Sequence, residues 1–232
     1  MKRPSKNSKQ AICYLCGDGG IGSGGLTRDH VFPCGLFVDP KPANLLTLPC
    51  CYKCQQDFDL DEQYFRNMLA SSGRISRLQP TGKAIWAKAL RSIRSSRAMH
   101  HAHLRELASL EVRSEGGLIL GEVTGVRIDM KRFYRVIGKI IRGLHYHHLG
   151  SVVTDKHEVT TYFDNKKPLE SIECARYGQS FGDVVSYRGA STDDGSSSIW
   201  WIWFYKSHFA NGVVIDPSAP ETPADSISPR QQ

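Results

Sequence analysis

Four of the seven cysteines fall into two Cys-x-x-Cys pairs, Cys13 with Cys16 and Cys51 with Cys54. A thiolate pair separated by two residues can hold one metal ion across a tight turn, and two such pairs complete a tetrahedral zinc site. Cys50 could stand in for Cys51, but only Cys51 reproduces the two-residue spacing of the first pair. Between the pairs lies "LTRDHVFP", residues 26–33, with Asp29 beside His30. A histidine next to a carboxylate can be a base, a metal ligand or a hydrogen-bonded core group. Asn44 follows fourteen positions after His30, Gln55 comes directly after the last cysteine of the second pair, and Asp59 lies one helical turn beyond it.

These residues need elements to position them. Metal held by the four cysteines would close residues 17–50 into a loop too small to fold alone, so that metal binding supplies folding energy there. Pro33 is compatible with a strand ending soon after His30. Neighbouring strand residues point to opposite faces, so Asp29 and His30 converge on one group only if the strand ends or twists there. From "DFDLDEQYFRNMLASS" onward Phe58, Tyr64, Phe65, Met68 and Leu69 form a helical stripe, and "SSGR" and "QPTGK" punctuate the chain. A second helix is expected over 83–108, a hairpin around "EGG" within 109–129, and a third helix over 130–149, stopped by Gly150. "EVTTYF", "DVVSYRG" and "SIWWIWFYK" read as strands, the last as a buried one with alternating faces.

The fold class expected is therefore α+β. A basic arm (1–10) precedes a zinc-stapled module (11–80), an α+β domain (81–216) and a Pro/Ser-rich tail (217–232). The 232 residues carry a net charge of +7, which suits a polyanionic partner. From Arg66 to Arg113, ten Lys/Arg stand against two acids, the pattern of a phosphate-tracking surface or of a solvated helix face. The longest apolar run, "IWWIWFY", is too short to span a bilayer, and no apolar segment follows the basic N-terminus; both point to the cytoplasm. The glycine-rich "GDGGIGSGG" lacks a Gly-Lys-Ser/Thr ending and reads as a connector. "HHAH" (100–103) and "HYHH" (145–148) read as solvated or nucleic-acid-facing histidines.

The ordered set C-x-x-C, D-H, N-L, L-P, C-x-x-C, followed by a helix, resembles the HNH endonucleases of the ββα-metal class over residues 11–70. That resemblance implies a hydrolase of bacterial or phage type that cuts phosphodiester bonds, most often in DNA, with RNA as the alternative. It implies His30 as general base and Asp29 as ligand of a catalytic Mg²⁺ or Mn²⁺, with Asn44 holding His30 in place. The family places His or Asn where Gln55 stands, so Gln55 or Asp59 would complete the ion's ligands. Arg28, Lys53, Arg74 and Arg77 are the cations expected at the nucleic acid. The rival expectation is a zinc module that binds nucleic acid or a protein partner without cutting.

Overall fold

In a computed structural model the described residues are 11–20, 24–78, 80–164 and 174–218. The basic arm (1–10) and the tail beyond residue 218 lie outside them. The elements in order are β1 (Leu26–His30), β2 (Thr47–Cys51), α1 (Tyr52–Ser71), α2 (Gly73–Leu78), α3 (Pro80–Ser95), α4 (Arg97–Arg105), β3 (Leu107–Arg113) and β4 (Ile119–Val126). There follow α5 (Met130–Leu149), β5 (Glu158–Asp164), β6 (Tyr177–Phe181), β7 (Val185–Ser191), β8 (Ser198–Phe204) and β9 (His208–Ile215). The fold is α+β. Strands β1 and β2 pair antiparallel, as do β3 and β4, and the rest form one antiparallel sheet in the order β5-β9-β8-β7-β6.

α5 is the hub. It starts under an Asp129 cap whose carboxylate accepts from the amides of Lys131 and Arg132. It ends at Gly150, whose φ of 72° is the left-handed conformation that glycine tolerates at a helix end. One side of α5 lies on the five-stranded sheet, where a side chain at Gly212 would come within 2.6 Å of Ile141. The other side meets β1's loop, where a side chain at Gly143 would come within 2.9 Å of Val31. A helix can approach both layers this closely only because these two positions lack a Cβ.

One apolar core therefore joins the layers and draws residues from both sides of position 80 in the chain. Phe65 of α1 packs on Phe133 of α5 at 4.7 Å and on Phe204 of β8 at 5.3 Å. Phe32 reaches Phe181 at 5.6 Å. Strand β8 alternates buried and half-buried residues throughout, as its sequence indicates.

Three local expectations are corrected. The helix expected over 83–108 is two helices broken at Ser96, and the chain is already extended at Leu107. The "QPTGK" punctuation is partly helical, since Pro80 opens α3 at the first helical position, where its fixed φ fits and its missing N–H costs nothing. Two histidines of "HYHH" are packed rather than solvated. His145 is fully buried between the hydroxyls of Ser198 and Ser151, and His148 stacks on Trp200 while meeting the Tyr187 hydroxyl at 3.0 Å.

Candidate functional site

The Sγ atoms of Cys13, Cys16, Cys51 and Cys54 lie within 4.8 Å of one another, a cluster able to hold a metal ion. Zinc–sulfur bonds of about 2.3 Å put the sulfurs of a tetrahedral site about 3.8 Å apart. The Cys16 and Cys51 sulfurs are 3.8 Å apart. Backbone amides preform both knuckles: the Gly17 amide donates to the Cys13 carbonyl, and Cys51 caps α1 by accepting through Sγ from the Cys54 amide. Tyr14 N–H donates to the Pro49 carbonyl at 3.0 Å, tying the first knuckle to β2. Cys50 is buried, with its sulfur 3.9 Å from that of Cys13. Its hydrogen bond lowers the Cys13 thiol to about 4, while burial pushes the Cys16 and Cys54 thiols up. Cys16 and Cys54 thus hold their protons in the absence of a cation, so metal binding must displace those protons.

The β1–β2 register sets His30 opposite Thr47 and Asp29 opposite Leu48. Alternation along β1 then separates the two residues that the resemblance puts at one phosphate. His30 and Arg28 share a face. With Lys41 and Thr47, and with Pro42, Ala43 and Leu45 as apolar wall, they line an open pocket of 400 Å³. The cations Arg28 and Lys41 flank His30, and no carboxylate lines the pocket. Arg28 donates to the Thr47 hydroxyl at 3.1 Å. Burial lowers the pKa of His30 more than Asp29 raises it, so the ring is neutral at pH 7. Lys41 is held above its ordinary value by Cys34 and Asp39 and stays cationic.

Asp29 turns the other way, into the core, and is 6 % exposed. Its Oδ2 accepts from the Tyr14 hydroxyl and from Lys139 Nζ, both at 2.7 Å. Lys139 comes from α5, is 2 % exposed, and also binds Glu62 of α1 and the His30 carbonyl oxygen at 3.4 Å. Burial pulls its pKa down, but Glu62 and Asp29 together outweigh burial and keep the ammonium charged. Directly before Glu62 on α1, Asp61 is clamped by Arg132 and Arg135, both at 2.6 Å.

The remaining expected site residues are dispersed. Gln55 accepts through Oε1 from the Thr27 hydroxyl at 2.8 Å. Asp59 lines a separate pocket with Glu62, Gln63 and Arg66. Asn44 sits exposed in the turn at 43–44, while His30 Nδ1 is buried with no hydrogen-bond partner among the described residues. Lys53 is exposed at the start of α1. Arg74 and Arg77 fall on α2, and their side chains lie outside the described residues.

A catalytic Mg²⁺ or Mn²⁺ held by Asp29 with Gln55 or Asp59 does not fit these positions. The bound oxygen of Asp29 faces an ammonium, Gln55 is engaged by Thr27, and Asp59 opens elsewhere. Among the described residues, the four cysteines are the one group of three or more acidic, thiol or imidazole side chains close enough to share an ion.

The network of Tyr14, Asp29, Glu62 and Lys139 was not anticipated from the sequence. Its signal is there: Lys139 interrupts the apolar run Val136, Ile137, Ile140, Ile141 on the buried side of α5. A charged residue at a core position implies a buried counter-charge. No described helix is long and apolar enough to cross a membrane. Comparison of the chain with protein-family models, curated proteins and solved structures finds no match.

Proposed function

We propose that this chain is an HNH-type nuclease in which zinc at the four cysteines stabilises the β1–β2–α1 unit and His30 is the general base at a nucleic-acid phosphate. The observation that carries this reading is the His30 pocket, a neutral imidazole and two cations with no carboxylate among the lining residues. A phosphodiester is an anion, and its hydrolysis needs a base for water and positive charge at the phosphate. The order strand, loop, strand, helix, with thiol knuckles before β1 and across the β2–α1 junction, supports it too. The surplus of positive charge beyond Arg66 suits a polyanion.

The role of His30 follows from its position. The imidazole takes the proton of the attacking water, while Arg28 and Lys41 hold the phosphate oxygens. Zinc would be held by Cys13, Cys16, Cys51 and Cys54 and would contribute structure. Thr47, opposite His30, keeps Arg28 turned towards the pocket.

The test is cleavage of plasmid DNA and of labelled RNA by wild type and by His30→Ala, with and without added Mg²⁺ or Mn²⁺. Loss of the base should cut the rate about 10²–10⁴-fold, with the zinc content and circular dichroism unchanged. Equal rates in the two proteins would leave the second reading, a zinc module that binds nucleic acid without cutting it. The engaged carbonyl of Gln55 is the observation that favours that reading.

A further inference from the structure

We propose that Lys139 Nζ is the resident cation of this site. It occupies the place between hairpin and helix where a divalent ion would stand, and the phosphate is handled on the other face of β1 by Arg28, His30 and Lys41 without a metal. The inference rests on the nuclease reading for its reaction and on the structure alone for its cation.

The two faces of β1 carry opposite requirements. On the inner face, Asp29 of β1 and Glu62 of α1 are the carboxylates that approach each other, and the Lys139 ammonium lies between them, bonded to both. An ion entering there would have to displace a 2 %-exposed ammonium and leave it buried without its counter-charges, which is strongly unfavourable. On the outer face, the His30 pocket offers two cations and one hydroxyl oxygen, from Thr47. A hard divalent ion needs several oxygen ligands, preferably anionic. Neither face seats one. The outer face seats an anion instead.

Lys139 does more than neutralise charge. It is bonded to the His30 carbonyl, so the end of β1 is held from α5 at the residue that carries the base. This makes Lys139 a positioning residue. It has no access to substrate, and its influence passes through the backbone of His30.

The step balances without a co-reactant other than water. The water oxygen bonds to phosphorus and the bond from phosphorus to the 3′ oxygen breaks. His30 takes the water's proton, the departing 3′ oxygen takes a proton from the Lys41 ammonium, and solvent restores both groups. The products are a 5′-phosphate and a 3′-hydroxyl.

The experiment uses full-length, zinc-loaded protein freed of other divalent ions. Mn²⁺ binding is followed by electron paramagnetic resonance, and cleavage is measured with and without millimolar Mg²⁺ or Mn²⁺. Wild type should bind no Mn²⁺ and cleave within twofold of the same rate in all three conditions. Lys139→Met should create a Mn²⁺ site, because it leaves two carboxylates facing each other. One Mn²⁺ bound by wild type and lost in Asp29→Asn would overturn the inference, whatever the cleavage assay gives. So would a rate that rises tenfold or more with either ion. If no substrate is cut in any condition, the nuclease reading and the metal-free reaction fall together. The cation assignment then stands or falls on wild-type Mn²⁺ binding, a measurement that survives even if Lys139→Met does not fold.

Discussion

Among the described residues there are two isolated hairpins, and they are held in opposite ways. β1–β2 has five residues per strand and is fastened on every side: thiol knuckles at one end, α1 across the β2 junction, and α5 reaching in through Lys139. β3–β4 is longer and more apolar at its tip, yet Leu110 is 52 % exposed and Leu120 is 62 % exposed. Among the described residues no further strand borders it. Glu111 even faces Glu122 across the ladder, relieved only by Arg113 and Ser109. Two strands alone are marginal in water. The shorter, more polar hairpin is thus the better-determined one, because external ties count for more than apolar content.

The difference can be broken hardest at the metal. Chelation, or Cys51→Ser, should release the β1–β2 hairpin, since such clusters supply most of the folding energy of small units. Amide hydrogen exchange should accelerate at least 100-fold at 26–30 and 47–51, with little change in β7–β9. A hairpin that stays protected without metal would show that packing on α5 suffices.

Next comes the ammonium. Lys139→Met leaves the buried Asp29 and the half-buried Glu62 without their cation and should cost about 3–5 kcal/mol in a denaturant titration. Adding Asp29→Asn to it should recover part of that loss, which no independent pair of sites would do.

Acid separates the hairpins by a different route. Burial lowers the pKa of His145, on the same helix that anchors β1–β2, from 6.5 to about 4. The unfolded chain takes up that proton below about 6.5 while the folded chain refuses it until about 4. Stability is therefore complete above the first value and falls as pH drops through the window, by about 3 kcal/mol at the rate of 1.36 kcal/mol per unit. Exchange measured across this range should rise in α5, β1 and β8. In β3–β4 it should already be fast at neutral pH.

Two smaller changes sharpen the contrast. Tyr14→Phe removes the hydroxyl that Asp29 accepts from and should cost about 1–3 kcal/mol. Leu110→Ser, in β3, should shift the same denaturant midpoint by no more than about 0.5 kcal/mol, the ordinary size of a surface substitution. A large effect there would mean that the exposed face of β3–β4 is covered in solution.

What could be read from the sequence is what depends on local spacing. The two cysteine pairs are four residues each, strand β8 alternates within seven, and α5 carries its own cap and stop, so each shows its nature within one element. The partners of Asp29 did not, because Lys139 comes 109 positions after His30 and meets it only once α5 has docked. Asn44 illustrates the converse: its spacing from His30 matches a pattern, yet the turn leaves it exposed while the imidazole nitrogen goes unpaired. Strand β6, "YGQSF", is not legible in the sequence because it is short, polar and at a sheet edge, where little of its pattern is dictated by burial.

The lysine on α5 also bears on how such a chain could be divided or recombined. Compact zinc-bound units are often treated as interchangeable cassettes, free to be cut out and joined to new neighbours. Here a cut near residue 80 would carry away Asp29 and Glu62 but leave behind the charge that neutralises both. The excised piece would keep its four cysteines and lose its electrostatic balance. The two halves of this chain can be exchanged only together with the helix between them.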